Sequence, residues 1–433
     1  MYARALLVLA LLLPHVAAAG PKIEHWSLAN GARVYFVPAR QLPMVQLRVV
    51  FDAAAARDPQ DKAGLARLTS DMLGEGADGL TADQIADRFE GLGAEFGSGA
   101  ERDMATVDLR SLTDPKLLEP ALGLYARILA APTFPAAAFE RERQRMATGL
   151  ARDAQSPGKV AQKAFMRVIY GRHPYANDPA GTAESLARFT REDLVAHHAR
   201  YYVARNARLV MVGDLSLAAA RQVAEKVLGR LPPGEPAPAL APIEPLVYAR
   251  VDHVRFPSSQ SHLLVGQPAL ARGDPDYYAL YVGNYVFGGG GLVSRLSSEV
   301  RERRGLSYSV YSYFSPMRLP GPFVMGLQTA NANREEAVKL LRQMLDEFIK
   351  NGPTDEELVA AKKHITGGFP LLLDSNRKIA DHVAVIAYYD LPLTYLEEFP
   401  ARAAAVTAEQ IREAFARRIQ PEQMVTVTVG GDS

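Results

Sequence analysis

The chain has 433 residues, 48% hydrophobic and 22% charged, with 33 glycines, 29 prolines and no cysteine. At ~150 residues per domain this is room for two or three packed domains, and global disorder is excluded. Forty-nine basic against 48 acidic residues leave a formal charge of +1, so nothing points to nucleic acid or an anionic membrane. The absence of cysteine removes disulfides, thiolate catalysis and thiolate-bound metal. Any metal ligand or nucleophile has to come from His, Asp, Glu, Ser, Thr, Tyr or Lys.

The N-terminus reads as a targeting segment. Arg4 makes a basic start, Ala5 to Leu13 is an apolar run of nine residues, and Ala17-Ala18-Ala19 offers a small-residue cleavage site before Gly20. The run is shorter than the ~20 residues a membrane span needs, so residues 1–19 are expected to be a cleavable signal peptide. Losing Arg4 takes the formal charge from +1 to 0. With no cysteine after the cleavage site there is no lipid anchor of the bacterial lipoprotein kind, and no later stretch is apolar enough to span. The mature chain is expected to be exported and soluble.

In chain order, Arg33–Pro38 and Val45–Ala53 read as strands, with Val45, Leu47, Val49 and Phe51 alternating. Lys62–Leu73 and Ala82–Leu92 read as helices, Met104–Leu112 as a strand, and Pro115–Ala130, Ala136–Ala154 and Arg191–Tyr202 as helices. A proline-rich segment, residues 231–245, cannot hold a helix interior or a central strand and is expected to be an extended linker. Beyond it His262–Gly266 is a predicted strand, and Pro275–Phe287 and Gly291–Arg303 are predicted helices joined by a flexible turn at Gly288–Gly291. Leu306–Phe314 and Phe323–Gln328 are predicted strands, and Arg334–Lys350 and Thr354–Leu372 predicted helices.

The two sides of the linker resemble one another. Thr190-Arg-Glu-Asp-Leu194 is echoed 217 residues later by Thr407-Ala-Glu-Gln-Ile411, and at the same offset Arg200 matches Arg417, Val210 matches Val427 and Gly213 matches Gly430. Both threonines suit a helix N-cap, with an acidic residue in the first turn, and each helix leads to a β-branched run ended by glycine. A duplication is the economical reading, with domains at 20–230 and 246–433. Hairpin-like strands interleaved with helix pairs predict an α+β fold of mainly antiparallel sheets rather than a doubly wound nucleotide fold.

Several segments are similar to one family. Gly64-Leu-Ala-Arg-Leu-Thr-Ser-Asp-Met-Leu-Gly-Glu-Gly76 resembles the zinc helix of insulinase/pitrilysin metallopeptidases. Arg172-His-Pro-Tyr-Ala-Asn-Asp-Pro-Ala-Gly-Thr182 and Phe287 to Val310 match the same family in order, so the resemblance covers nearly the whole mature chain. It implies two homologous halves facing each other as a clamshell. Active members carry H-x-x-E-H, which sets two imidazoles on one helix face to meet zinc beside a general-base Glu. Here Arg67, Ser70 and Asp71 occupy those three positions. The third ligand, a Glu from a later helix, would fall near Thr148-Gly149, where Arg145 to Arg152 offers no carboxylate. Arg67 puts a permanent cation where zinc would sit, and its i,i+4 spacing to Asp71 predicts an ion pair. No metal is therefore expected in this chain.

The remaining histidines do not restore a site. His197 and His198 are adjacent and point to different helix faces; His25, His253, His262, His364 and His382 stand apart. No G-x-S-x-G nucleophile elbow is present, and Gly288 to Gly291 lacks the Lys-Ser/Thr of a phosphate loop. What the resemblance does preserve is an Arg and a Tyr seven residues later, Arg301 and Tyr308, a pair that in the family faces the zinc site across the cleft. Guanidinium can bind a peptide carbonyl or carboxylate, and a phenol can donate to a developing oxyanion.

The resemblance to the bacterial two-subunit members implies a non-catalytic periplasmic subunit, inactive alone. It would lend Arg301 and Tyr308 in trans to a partner subunit that bears H-x-x-E-H and the zinc. The substrate is expected to be an unfolded peptide lying along an exposed sheet edge. Two alternatives stand beside this reading: a peptide-binding or scaffold protein with no role in proteolysis, and a peptidase with unorthodox ligands.

Overall fold

A computed structural model describes residues 20–431; the signal peptide expected over 1–19 lies outside the described residues. The first half runs β1 (Glu24–Ser27), β2 (Arg33–Pro38), β3 (Met44–Phe51), α1 (Leu65–Asp71), β4 (Gly76–Ala77), β5 (Leu80–Thr81), α2 (Ala82–Gly91), β6 (Glu95–Ala100) and β7 (Ala105–Leu112). Helices α3 (Pro115–Ala130), α4 (Ala136–Asp153), α5 (Pro157–Tyr170), α6 (Ala183–Leu186) and α7 (Arg191–Tyr201) follow, then β8 (Ala207–Gly213) and α8 (Leu217–Leu228). The second half runs β9 (Arg250–Arg255), β10 (Gln260–Leu270), α9 (Tyr277–Asn284), β11 (Val310–Phe314) and β12 (Gly321–Ala330). It ends with α10 (Arg334–Asn351), α11 (Asp355–Gly368), α12 (Asn376–Tyr389), α13 (Tyr395–Ala405), α14 (Ala408–Arg418) and β13 (Val425–Gly430).

The two large sheets share a plan. The first is ordered β1-β2-β8-β3-β7-β6 and the second β9-β13-β10-β12-β11, and within each the only parallel pair of neighbours is β2/β8 or β13/β9. The fold is α+β with sheets that are mainly antiparallel, as the strand pattern predicts. The N-caps at the 217-residue offset also agree. The Thr190 hydroxyl accepts from the Asp193 amide at 3.3 Å and the Thr407 hydroxyl from the Gln410 amide at 3.1 Å, each closing a reciprocal capping box.

The central strands of both sheets are buried on both faces. On β2, β3 and β8, Val34, Phe36, Val45, Leu47, Val49, Phe51, Leu209 and Met211 point into a core shared with α1, α3 and α8. The alternate residues Tyr35, Val37, Val50, Val210 and Val212 are buried too, in a cluster with second-half residues. Helix α12 lies across that second face, against β8 and β3. The exchange is reciprocal: α5, from the first half, lies across β13 and β10, with Phe165 and Ile169 buried against Leu264, Val425 and Val427. The sequence reading assigns no helix to the α5 segment, and in the α12 segment it only places His382 on a candidate helix. Polar alternates such as Arg48 suggest a wet face, and each helix finds its cover only in the other half.

Polar contacts fix the exchanged helices. Arg48 bridges Asp108 of its own sheet and Asp381 of α12, Arg33 pairs with Asp390, and Arg208 Nε donates to the Ala387 carbonyl at 2.9 Å. The Tyr388 ring lies between two guanidinium groups, 5.3 Å from Arg208 and 4.4 Å from Arg318. The turn after β6 supplies a clasp. Buried Asp103 accepts from the Tyr175 hydroxyl (2.6 Å), the Tyr389 hydroxyl (2.9 Å) and the Arg318 amide (2.8 Å), and its carbonyl accepts from Tyr388 (2.7 Å).

Residues 232–248 have no regular secondary structure, yet they are pinned along the first half. Arg57, held by Asp52 at 2.6 and 2.7 Å, donates to the Pro238 carbonyl, and His173 Nε2 donates to that of Ala241 at 3.0 Å. Two further expectations are corrected. Gly291–Arg303 is not one α-helix: a 3₁₀ turn at Gly291–Val293 precedes a π-helix at Ser297–Arg303, and a second π segment spans Tyr285–Gly289. The glycine run between them is packed rather than flexible. A Cβ on Gly288 would meet Ser312 Oγ at 2.4 Å, and one on Gly290 the Tyr285 carbonyl at 2.6 Å.

Two predictions follow from this packing. Replacing Asp103 with Ala leaves two phenols and an amide without their acceptor, and urea unfolding should show a loss of about 2–4 kcal/mol. The second concerns pH. Burial lowers His197 and His198 to about 4, while each Nε2 donates to a carbonyl, of Ala53 and Leu129 respectively, at 3.0 Å. The unfolded chain takes up these protons near pH 6.5 and the folded chain resists them down to about 4. Stability held above pH 6.5 is therefore lost as pH falls toward 4, by up to about 3 kcal/mol for fully buried His197. Denaturant midpoints between pH 7 and 4.5 check this, and His198→Phe should make the fall shallower.

Candidate functional site

Helix α1 is placed by a buried carboxylate. Asp58 accepts from the Gly64 amide at 2.7 Å and the Ala66 amide at 2.8 Å, which satisfies the exposed amides of the first turn. Burial still raises Asp58 to about 7. Gly64 turns the chain into the helix at φ +95°, where a Cβ would also stand 2.9 Å from the Gly181 backbone. Leu65, Leu68 and Thr69 then face the core, and Arg67 and Asp71 share the opposite side.

The predicted Arg67–Asp71 pair forms. Arg67 Nε donates to both Asp71 oxygens at 3.0 and 2.9 Å. A second guanidinium, from α4, reaches the same carboxylate: Arg145 Nη2 donates to Asp71 at 3.0 Å while its Nε donates to buried Glu142. The Glu142 hydrogen bond holds Arg145 above its ordinary range. The row Arg67, Asp71, Arg145, Glu142 thus alternates in sign across two helices. Sequence reasoning missed Arg145 and Glu142. Their i,i+3 spacing on α4 is a visible signal; the position matched to the family's third ligand lies further along, where Thr148 bonds back to the Gln144 carbonyl at 3.0 Å. Ser70 does not face this row at all; it is completely buried beside the Tyr202 phenol.

The residues do not fit a zinc ion. Of the three motif positions one is a cation, one a buried hydroxyl and one a carboxylate engaged by two guanidinium groups. Among the described residues no group of three or more His, Asp or Glu side chains is placed to hold a metal. The histidines are used elsewhere: His25 lies against Tyr35, His364 stacks on Tyr285 at 4.9 Å, and His253 Nδ1 meets Thr428 Oγ1 at 2.7 Å.

Arg301 and Tyr308 are brought together. Arg301 sits near the end of the Ser297–Arg303 π-helix, a geometry that recurs at functional sites, and its guanidinium lies 4.7 Å from the centre of the Tyr308 ring. Its neighbours Arg303 and Arg304 are bound to Glu299 at 3.1 and 2.8 Å, whereas Arg301 has no carboxylate partner among the described residues. Tyr308 is 85% exposed. Neither residue lines the cavity of about 640 Å³ between the halves, whose walls include Arg67, Arg272 and Tyr313.

This geometry is that of a metallopeptidase clamshell whose metal helix carries no metal ligands. The family model described as insulinase (peptidase family M16) matches residues 34–183, and that of the peptidase M16 inactive domain matches 188–365. The chain belongs to peptidase family M16, as an inactive member. It is 42% identical to the crystal structure of a peptidase M16 inactive domain from Pseudomonas fluorescens, with a TM-score of 0.92 over 95% of this chain and 98% of that one. A "non-peptidase homolog YmxG" of Helicobacter pylori is 25% identical over 380 residues, 86% of this chain and 85% of the relative. The periplasmic protease PqqL of Escherichia coli shares the fold at 16% identity and a TM-score of 0.77, over 96% of this chain and 48% of PqqL.

The charge row makes an asymmetric prediction. Asp71→Ala leaves Arg67 and Arg145 facing each other without a counter-charge and should cost about 1–3 kcal/mol. Arg67→Ala, which leaves Asp71 bound to Arg145, should cost less than about 1 kcal/mol. Urea unfolding of the two variants checks the order.

Proposed function

We propose that this chain is the non-catalytic, substrate-binding subunit of a heterodimeric periplasmic zinc metallopeptidase. The observation that carries the reading is the contrast between two sites. The metal positions hold Arg67, buried Ser70 and an Asp71 engaged by Arg67 and Arg145, while Arg301 has no carboxylate partner among the described residues and lies over the ring of exposed Tyr308. A guanidinium and a phenol so displayed are suited to hold a peptide carbonyl and to donate to an oxyanion formed at a partner's metal. The zinc, on this reading, belongs to an H-x-x-E-H subunit of the same family.

The peptide would lie as an added strand. Among the described residues β6 ends the first sheet with no strand beyond it, and its Gly97 and Gly99 stand in open space. The signal-peptide pattern of residues 1–19 and the likeness to a periplasmic protease support export. No described helix is long and apolar enough to cross a membrane. We also take residues 20–230 and 246–433 as copies of one unit joined by the linker at 231–245; the common strand order of the two sheets supports that duplication.

A second reading, a peptide-binding or scaffold protein outside proteolysis, is favoured by the name of the Helicobacter pylori relative. Co-expression with a zinc-motif subunit of the family separates the two. The complex should cleave unfolded peptides, and Arg301→Ala with Tyr308→Phe should lower kcat/KM by about 10²–10³. Zinc-dependent cleavage by this chain alone would overturn the proposal. Unchanged cleavage by the double variant would remove the role of the pair.

A further inference from the structure

The cavity between the halves holds a cation that the fold does not use. Arg102 sits in the β6–β7 turn, and its backbone is fixed on both sides: its carbonyl accepts from the Ala56 amide at 2.9 Å, and the neighbouring Asp103 is the clasp described above. The side chain therefore has little choice of direction, and it lines the cavity of about 640 Å³. Its guanidinium makes no hydrogen bond or ion pair with any described residue. Burial pulls it below its ordinary range and outweighs the attraction of Asp178 and Asp103, neither of which bonds to it.

The neighbouring carboxylates are already engaged. Asp103 is taken by two phenols and an amide; Asp178 and Asp153 lie 2.8 and 3.5 Å from Lys163. Glu101 remains on the cavity wall, opposed by Lys159 and Arg272, for which the described residues supply no carboxylate. Arg67 borders the same space and uses only its Nε on Asp71, so its terminal nitrogens are spare donors. An unpaired, partly buried guanidinium is costly to keep, and such groups gather where a ligand completes them.

We propose that this cavity is a receptor for a single peptide carboxylate, held in the fork of Arg102 with Arg67 beside it. The planar fork matches a carboxylate through two parallel N–H···O bonds. Five cations against four carboxylates on the walls leave an excess of one charge, which suits a carboxylate better than a dianion. Tyr313 and Met317 on the second-half wall offer apolar cover for the adjoining residues of the peptide. The assignment rests on the peptide-binding reading above, but it concerns a different site from Arg301 and Tyr308. It also gives the arginine at the first motif position a ligand-facing use.

The test uses the full mature chain and three fluorescein-labelled decapeptides of one neutral sequence. One has a free C-terminus, one a C-terminal amide, and one an amide with a single internal Glu. Anisotropy should show at least one acidic form binding about tenfold or more tighter than the neutral amide. Which form wins identifies the carboxylate as terminal or side-chain. Arg102→Gln should abolish that preference, bringing the affinity of the acidic form down to that of the neutral amide. Equal binding of all three peptides, or a preference that survives Arg102→Gln, overturns this proposal while leaving the peptide-binding reading intact. Failure of every peptide to bind overturns both. As a structural control, the melting temperature of Arg102→Met should equal or exceed that of the parent, because a desolvated charge is removed. A drop of more than about 5 °C would make Arg102 a structural residue and overturn the assignment.

Discussion

The rest of this structure depends on an exchange of helices. α12 closes the outer face of the first sheet and α5 closes the corresponding face of the second. Without the exchange, Val50, Val210 and Val212 on one side and Leu264, Val425 and Val427 on the other would be exposed apolar patches of the kind that drive association. Each half therefore completes its own core with a helix from the other. The linker follows the surface of the first half instead of bridging open solvent, and Asp103 ties Tyr175 of one half to Tyr389 and Arg318 of the other. The space between the halves is thus bounded by elements that pack across both.

That packing gives the two candidate sites their setting. The former metal helix is anchored by Asp58 and packed by Leu65 and Leu68, so its scaffold persists although the metal ligands do not. Where two imidazoles and a water would stand in an active relative, a row of alternating charges now runs from Arg67 to Glu142. Such a row satisfies its own members and leaves donors over, at Arg67 and nearby Arg102. The region presents cations at the positions where active members of the family hold one. Arg301, near the end of a π-helix of the second half, and exposed Tyr308 beyond it are a separate pair.

Much was legible in the residues themselves. Thr190 and Thr407 announced helix starts because a side-chain hydroxyl can satisfy an N-terminal amide locally, and both caps form. Pro115–Ala130 was readable to the residue, since a proline at the first helical position and an apolar stripe mark its start and its buried face. The Arg67–Asp71 pair followed from i,i+4 spacing. The π segments were not legible: they arise where Gly288 and Gly290 let the chain approach Ser312 and Tyr285, neighbours that a helical period does not reveal. Nor was the full burial of β3, because Gln46 and Arg48 look like solvent-facing alternates until α12 covers them.

By itself the sequence determined the α+β class, the repeated Thr-capped helix and β-branched strand, and the loss of the metal ligands. These rest on local periods, caps and residue identity, which need no knowledge of distant neighbours. Only the tertiary structure decided that Asp71 is shared with Arg145, 74 residues away, and that Asp103 meets Tyr388 across 285. It alone decided that the helices are exchanged and that the Arg102 guanidinium has no hydrogen-bond or ion-pair partner among the described residues. The physical reason is common to all of these. Ion pairing, burial and packing depend on which surfaces meet, and here the surfaces that matter most belong to opposite halves of the chain.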